Sequence, residues 1–421
     1  MSTPAEAARG DGWAPTGPTI AVLVLCGVLV NGQMYAVLPL FELMSTSFGV
    51  SPAQVAWTAT AFAIAYACGA LLSGPLSDWL GQRRVVVAAL VATGAATAVV
   101  PASAGLVVAC ALRAVQGFAA GSFGPPLLSY IGQHVRPARR ALVFSCFASS
   151  MLGSAVVLQV VAQLVGDAWG WRAVFFLSGP CLLAVAVAAR AVLRPARSGQ
   201  LAGARAAFVA MPRLLRAPPL LLLYAACLTM LTCFVGIYAA IALAGPPSIA
   251  GDPVALLALR ASGLPALVAM PAALSLLTRV GAPARLIVGL GIASAAALAM
   301  AVVSGSVLAL AGLLLVFVAA AALAAPAMMQ SITARVAPGE QGGASALFAF
   351  LIFLGAGVGP LLAAALASRG FAAIALAVAG LLAVGAALAA LSAWAAARAR
   401  SRPDAAAGRV DQSAVPRAAD R

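Results

Sequence analysis

Apolar runs of about 17–25 residues alternate with short polar breaks along the chain. Helices of that length cross a hydrocarbon layer about 30 Å thick. The runs fall at about 19–41, 52–76, 84–100, 105–129, 141–165 and 172–193, then at 218–243, 254–278, 284–303, 307–331, 343–366 and 371–396. Twelve spans are therefore predicted, six on each side of an Arg-rich, Pro-bearing stretch from Arg194 to Pro219. The expected organisation is a tail at 1–18, a six-helix bundle at 19–193, a central loop at 194–217, a second bundle at 218–397 and a tail at 398–421. The halves echo each other at an offset near 200 residues: Ser51-Pro52 matches Asp252-Pro253, Leu76 with Gly81 matches Leu276 with Gly281, and Val135-Arg136-Pro137 matches Val336-Ala337-Pro338. A fixed internal offset of this kind marks a repeat. The fold class implied is an all-α membrane protein.

Composition agrees with the pattern. The 421 residues are 64% hydrophobic and 8% charged, with a mean hydropathy of +1.07. A water-soluble fold could not cover that much apolar surface, so the bilayer is the main solvent. The net charge of +15 comes from 25 basic residues, all Arg. They lie in short loops and tails rather than in a stripe interleaved with aromatics, which excludes nucleic acid as a partner. Arg83, Arg84, Arg136, Arg139, Arg140, Arg194, Arg197, Arg205, Arg213, Arg216, Arg279, Arg285, Arg335, Arg398, Arg400 and Arg402 all fall on one side of the predicted map, against Arg172 and Arg369 in the opposite loops. The positive-inside rule then places both termini and the central loop in the cytoplasm. The expected location is the plasma membrane of a bacterial cell, the inner membrane, as a multi-pass and monomeric protein. The first 18 residues lack the basic region of a signal peptide, so the first run is read as a retained helix. Seven cysteines lie inside apolar runs without metal or redox spacing, and no metal or cofactor is expected.

At the seam between the second and third runs stands Gly74-Pro75-Leu76-Ser77-Asp78-Trp79-Leu80-Gly81-Gln82-Arg83-Arg84-Val85. This segment resembles the loop between helices 2 and 3 of the major facilitator superfamily, whose pattern runs roughly G-x-L-(small)-D-(R)-x-G-(R)-(K/R). The resemblance extends over residues 19–397 and is specific at this loop and on the fourth run. It implies two pseudo-symmetric six-helix bundles related by an axis along the membrane normal, a central path lined by helices 1, 4, 7 and 10, and transport by alternating access. It also implies a conformational gate built from Gly74, Asp78, Gly81, Arg83 and Arg84, in which the carboxylate latches the halves in one state. A carboxylate there can accept from helix N-terminal amides and pair with Arg. Gly74 and Gly81 are expected to permit close helix approach and a tight turn. Trp79 and Gln82 stand where the family usually has basic residues, and Thr278 replaces the acid in the second half.

Arg113, within Ala111-Leu112-Arg113-Ala114-Val115-Gln116-Gly117-Phe118-Ala119-Ala120-Gly121, lies inside the fourth run. An Arg near membrane depth costs about 2.5–3.5 kcal/mol unless it faces a partner or cavity or snorkels out. The resemblance to drug and metabolite efflux members ties this Arg to substrate or proton coupling, with Gln116 beside it. Gly117 and Gly121 form a small face for helix packing, as do Gly355 and Gly359 in Gly355-Ala356-Gly357-Val358-Gly359-Pro360. Arg260, one and a half turns into the eighth run, either adds to a positive cavity or snorkels. Asn31 and Tyr35 share a face of the first run by their spacing, and Gln159 and Gln163 do so on the fifth.

No carboxylate falls at mid-bilayer. Glu42 ends the first run and is the leading proton-coupling residue, whether alone or paired with Arg113. No Ser/His, His/Asp/Glu or nucleotide-binding constellation points to an enzyme. The expected function is proton-linked efflux of a small amphipathic drug or metabolite. The alternatives are uptake or facilitated movement of a small organic anion, or a transport-inactive membrane sensor. The expected partners are a small-molecule substrate, protons and the lipid bilayer.

Overall fold

A computed structural model describes residues 13–195, 213–246, 249, 252–266, 269–270, 280–303, 305–337 and 341–410. Among them there is no strand. The first half contains α1 (Thr16–Gly32), α2 (Phe41–Phe48), α3 (Pro52–Leu80), α4 (Gln82–Val99), α5 (Leu106–Gly121), α6 (Gly124–His134), α7 (Pro137–Trp169) and α8 (Trp171–Val192). The second contains α9 (Pro218–Ala244), α10 (Pro253–Ala261), α11 (Ala282–Val302), α12 (Val307–Thr333), α13 (Gln341–Leu366) and α14 (Gly370–Val410).

Among the described residues nine helical stretches are long and apolar enough to span a membrane. One of them, Gly343–Arg398, holds most of both α13 and α14, divided by a short turn at Ala367–Arg369. Another, Leu106–His134, joins α5 and α6. At the first and eighth predicted spans stand shorter apolar helices, Thr16–Gly32 and Val254–Ala266. The continuous helix expected over 19–41 is thus corrected: α1 ends at Gly32, turns follow, and Pro39 lies in a 3-10 turn at Leu38–Leu40 before α2. Much of the eighth predicted span, including 271–279, lies outside the described residues. The last helix runs on to Val410, past the expected start of the tail at 398.

The seam between the second and third spans is more helical than its motif suggested. α3 continues through Leu80 and α4 begins at Gln82, so Gly81 alone reverses the chain. Its φ of +88° is open to glycine at little cost and strained for other residues. The same one-glycine device recurs at Gly170 (φ +80°), between α7 and α8, whereas Gly370 (φ +82°) opens α14 after the turn at Ala367–Arg369. Capping repeats as well. Ser51 makes a capping box with Gln54 ahead of Pro52, and Asp252 accepts from the amides of Val254 and Ala255 ahead of Pro253. Both prolines sit at a first helical position, where the missing N–H costs nothing.

Packing repeats in the same way. The pairs α1 with α7, α3 with α5, and α4 with α8 in the first half correspond to α9 with α13, α10 with α12, and α11 with α14 in the second. The halves meet where α3 packs along α13 and where α7 meets α10.

Candidate functional site

Arg113 is fully buried within the first half. Its Nη1 donates to Gln116 Oε1 (2.7 Å), its Nη2 to the Gln33 carbonyl (2.9 Å) and its Nε to the Thr58 carbonyl at 3.4 Å. The guanidinium lies 4.3 Å from the centre of the Phe62 ring and 5.7 Å from that of Phe175. Gln116 in turn donates to Thr97 Oγ1 (2.6 Å) and Gln33 Oε1 (3.2 Å). The Gln33 carbonyl can accept because the helix stops one residue earlier. Irregular backbone at membrane depth is tolerated where protein groups satisfy it, and here Arg113 does so. The protein groups around Arg113 are neutral acceptors and two aromatic faces. Glu42 is exposed on α2 and is not among these partners, so the two candidates for a coupling pair are not brought together.

A second set of contacts crosses between the halves. Thr60 Oγ1 donates to the Gly357 carbonyl (2.7 Å). The rings of Tyr66 and Phe353 lie 4.2 Å apart, and those of Tyr35 and Phe234 meet edge-on at 6.4 Å. Phe234 also meets Tyr238 (5.3 Å) and Phe317 (6.2 Å). Arg260 on α10 is buried and donates to Gln163 Oε1 on α7, so it does not snorkel. Tyr66 lies at the midpoint of α3, and Thr60 nearer its Pro52 end. Gln163 lies near the Trp169 end of α7. These side chains join the halves from the midplane toward the side opposite the central loop.

The other predicted residues are distributed between packing and surface. Asn31 Nδ2 donates to the Met151 carbonyl and to Ser154 Oγ, both at 2.9 Å, which ties α1 to α7. A Cβ on Gly117 would come 2.2 Å from the Phe62 carbonyl oxygen, and one on Gly121 would come 2.0 Å from that of Tyr66. On Gly355 and Gly359 it would meet the carbonyls of Leu228 and Thr232 at 2.4 and 2.6 Å. Gly74 differs from the expectation of close approach, since no atom of the described residues lies within 4 Å of the space its Cβ would fill. Arg83 Nη2 donates to the Arg190 carbonyl (2.5 Å) at the end of α8, and Arg84 is exposed. The backbone of Asp78 lies in the last turns of α3, and its side chain lies outside the described residues.

Sequence reasoning missed Thr58, Phe62 and Thr97 as partners of the Arg113 group. Thr97 carried a signal, because Thr93 and Thr97 place two hydroxyls one turn apart on an otherwise apolar run. Phe62 and the carbonyl of Thr58 carried none.

The family model of the Major Facilitator Superfamily matches residues 23–322. A probable transporter of Streptomyces coelicolor is 30% identical over 52% of this chain and 51% of its own length. A multidrug resistance protein B homolog of Mycobacterium tuberculosis is 27% identical over 43% of this chain and 34% of its own length. The chain thus spans about half or less of the curated relatives it matches. Among solved structures, the human organic anion transporter MFSD10 superposes with a TM-score of 0.67, covering 89% of this chain and 99% of that one at 16% identity. That likeness is one of fold.

Proposed function

The chain belongs to the Major Facilitator Superfamily and is a multi-pass membrane transporter, and from that premise we propose that it exports a small amphipathic drug or metabolite by alternating access. The observation that carries this reading is the seam between the halves. Tyr35, Phe234, Tyr238 and Phe317 form an aromatic group there, with one buried cation, Arg260, close by. Such a surface suits a compound with a broad apolar body and few polar groups. Among the described residues the side-chain contacts that join the halves run from the midplane toward the side opposite the central loop, which supports a transporter closed on that side. The Arg distribution makes that side the exterior. The likeness to a multidrug resistance protein homolog supports a drug-like cargo and an outward direction.

Purified protein in liposomes is the test, with a cationic dye and an organic anion each followed with and without a pH gradient. Protein-dependent flux that follows the gradient is expected. Flux equal to that of protein-free vesicles for every compound would overturn the reading. In its proton-linked form the reading assigns coupling to Glu42, an exposed carboxylate on the exterior side. Glu42→Gln is expected to abolish gradient-driven accumulation while leaving downhill exchange intact. Gradient dependence that survives this substitution would remove Glu42 from coupling.

A further inference from the structure

One polar group at the seam is incomplete. Arg260 donates to Gln163, yet its Nε has no partner among the described residues although the residue is 4% exposed. Tyr238 on α9 and Gln159 on α7 are fully buried, and the hydroxyl of the one and Oε1 of the other likewise have no partner among the described residues. These atoms come from three helices and both halves. A Cβ on Gly263 would come 3.1 Å from the Tyr238 hydroxyl. Gly263 follows Arg260 by three positions, and Arg260 lies near enough to act on Tyr238 through space. Gln159 and Gln163 stand one turn apart on one face of α7. Phe234, one turn before Tyr238, continues the group into the aromatic cluster.

Buried polar atoms are seldom left unmet, because each costs about 1–3 kcal/mol and charged ones more. Among the described residues no acid completes this group. Asp167, one turn beyond Gln163, is exposed and acts on Arg260 through space, with no hydrogen bond between them among the described residues. Asp252 turns Oδ1 to capping α10, and Glu42 is exposed. We propose that Arg260, Tyr238 and Gln159 form a subsite for the anionic head of the exported compound, a carboxylate with a hydroxyl or N–H beside it. The carboxylate accepts from Arg260 Nε and the Tyr238 hydroxyl. The neighbouring donor meets Gln159 Oε1, and the apolar body lies against Phe234, Phe317 and Tyr35. This inference rests on the export reading and narrows it to amphipathic organic anions.

The test is equilibrium binding to the full chain in neutral-lipid nanodiscs, with hydroxynaphthoate and its methyl ester as probes. The acid is expected to bind at least about tenfold more tightly than the ester. Arg260→Gln should weaken acid binding by about tenfold to a hundredfold, the range for hydrogen bonds to a charged group, and weaken ester binding by much less. Tyr238→Phe should weaken it by roughly threefold to tenfold. Should Arg260→Gln not fold, Arg260→Lys carries the test. It retains charge but lacks the planar fork, and weaker acid binding is again expected. Equal affinity for acid and ester, wild-type affinity in the Arg260 variants, or no acid binding to wild type would each overturn the proposal. Because binding needs neither gradient nor flux, its failure leaves an exporter of neutral or cationic compounds, whereas failure of export in vesicles leaves the binding result standing.

Discussion

Arg113→Ala is expected to lower stability by about 3–5 kcal/mol and to abolish transport. The substitution strands the Gln33 carbonyl and Gln116 Oε1, at about 1–3 kcal/mol for each buried group left unmet, while the Thr58 carbonyl keeps its place in the α3 ladder. It also opens a cavity against Phe62 and Phe175. Arg113→Lys should lose less, since it keeps the charge over the Phe62 ring, but donors that radiate from one nitrogen cannot match acceptors placed around Nε, Nη1 and Nη2 of a planar fork. Thermal unfolding of purified protein in nanodiscs measures the first effect and vesicle flux the second. A melting temperature of Arg113→Ala equal to wild type would show that the network does not hold the half together. Glu42→Gln should leave melting unchanged, because Glu42 takes no part in the network.

Gly121→Ala should be the most damaging of the single-methyl additions. Its Cβ would stand 2.0 Å from a carbonyl oxygen of α3, and backbone cannot swing aside as a side chain can. Over-packing of this kind costs about 1–3 kcal/mol or more, and here it forces apart two helices whose close approach is mutual. Gly69 of α3 is seated 2.1 Å, by the same measure, from the Phe118 carbonyl of α5. Gly117→Ala should behave alike. Gly153→Ala is the control, because open space surrounds that position on α7 and alanine favours helix by about 1 kcal/mol. Its melting temperature should hold or rise. If Gly121→Ala melted with Gly153→Ala, the close contact of α3 and α5 would be wrong.

Hydropathy made most of the helices legible, because the length that spans a bilayer and the need to pair every backbone group leave little choice. The ends were less so. Hydropathy alone reads Asp78 and its polar neighbours as a loop, whereas a single glycine at positive φ lets α3 keep its hydrogen bonds through Leu80. The interruption after Gly32 was hidden because Gln33 and Pro39 sit among apolar neighbours. The burial of Arg113 follows from its cost in lipid, but its chief acceptor is a backbone carbonyl exposed by that interruption, which no residue type announces. Arg260 was balanced between burial and snorkelling. What decides it is Gln163, nearly a hundred positions away in the other half.

The one-glycine reversals at Gly81 and Gly170 also constrain how the chain can be made. One residue reaches at most about 3.6 Å, against a hydrocarbon core of about 30 Å. Once formed, such a turn leaves no slack for one helix to rest across the bilayer while the next waits in water. α3 with α4 and α7 with α8 must therefore leave the translocation machinery as finished hairpins, each delivered to the lipid in a single step.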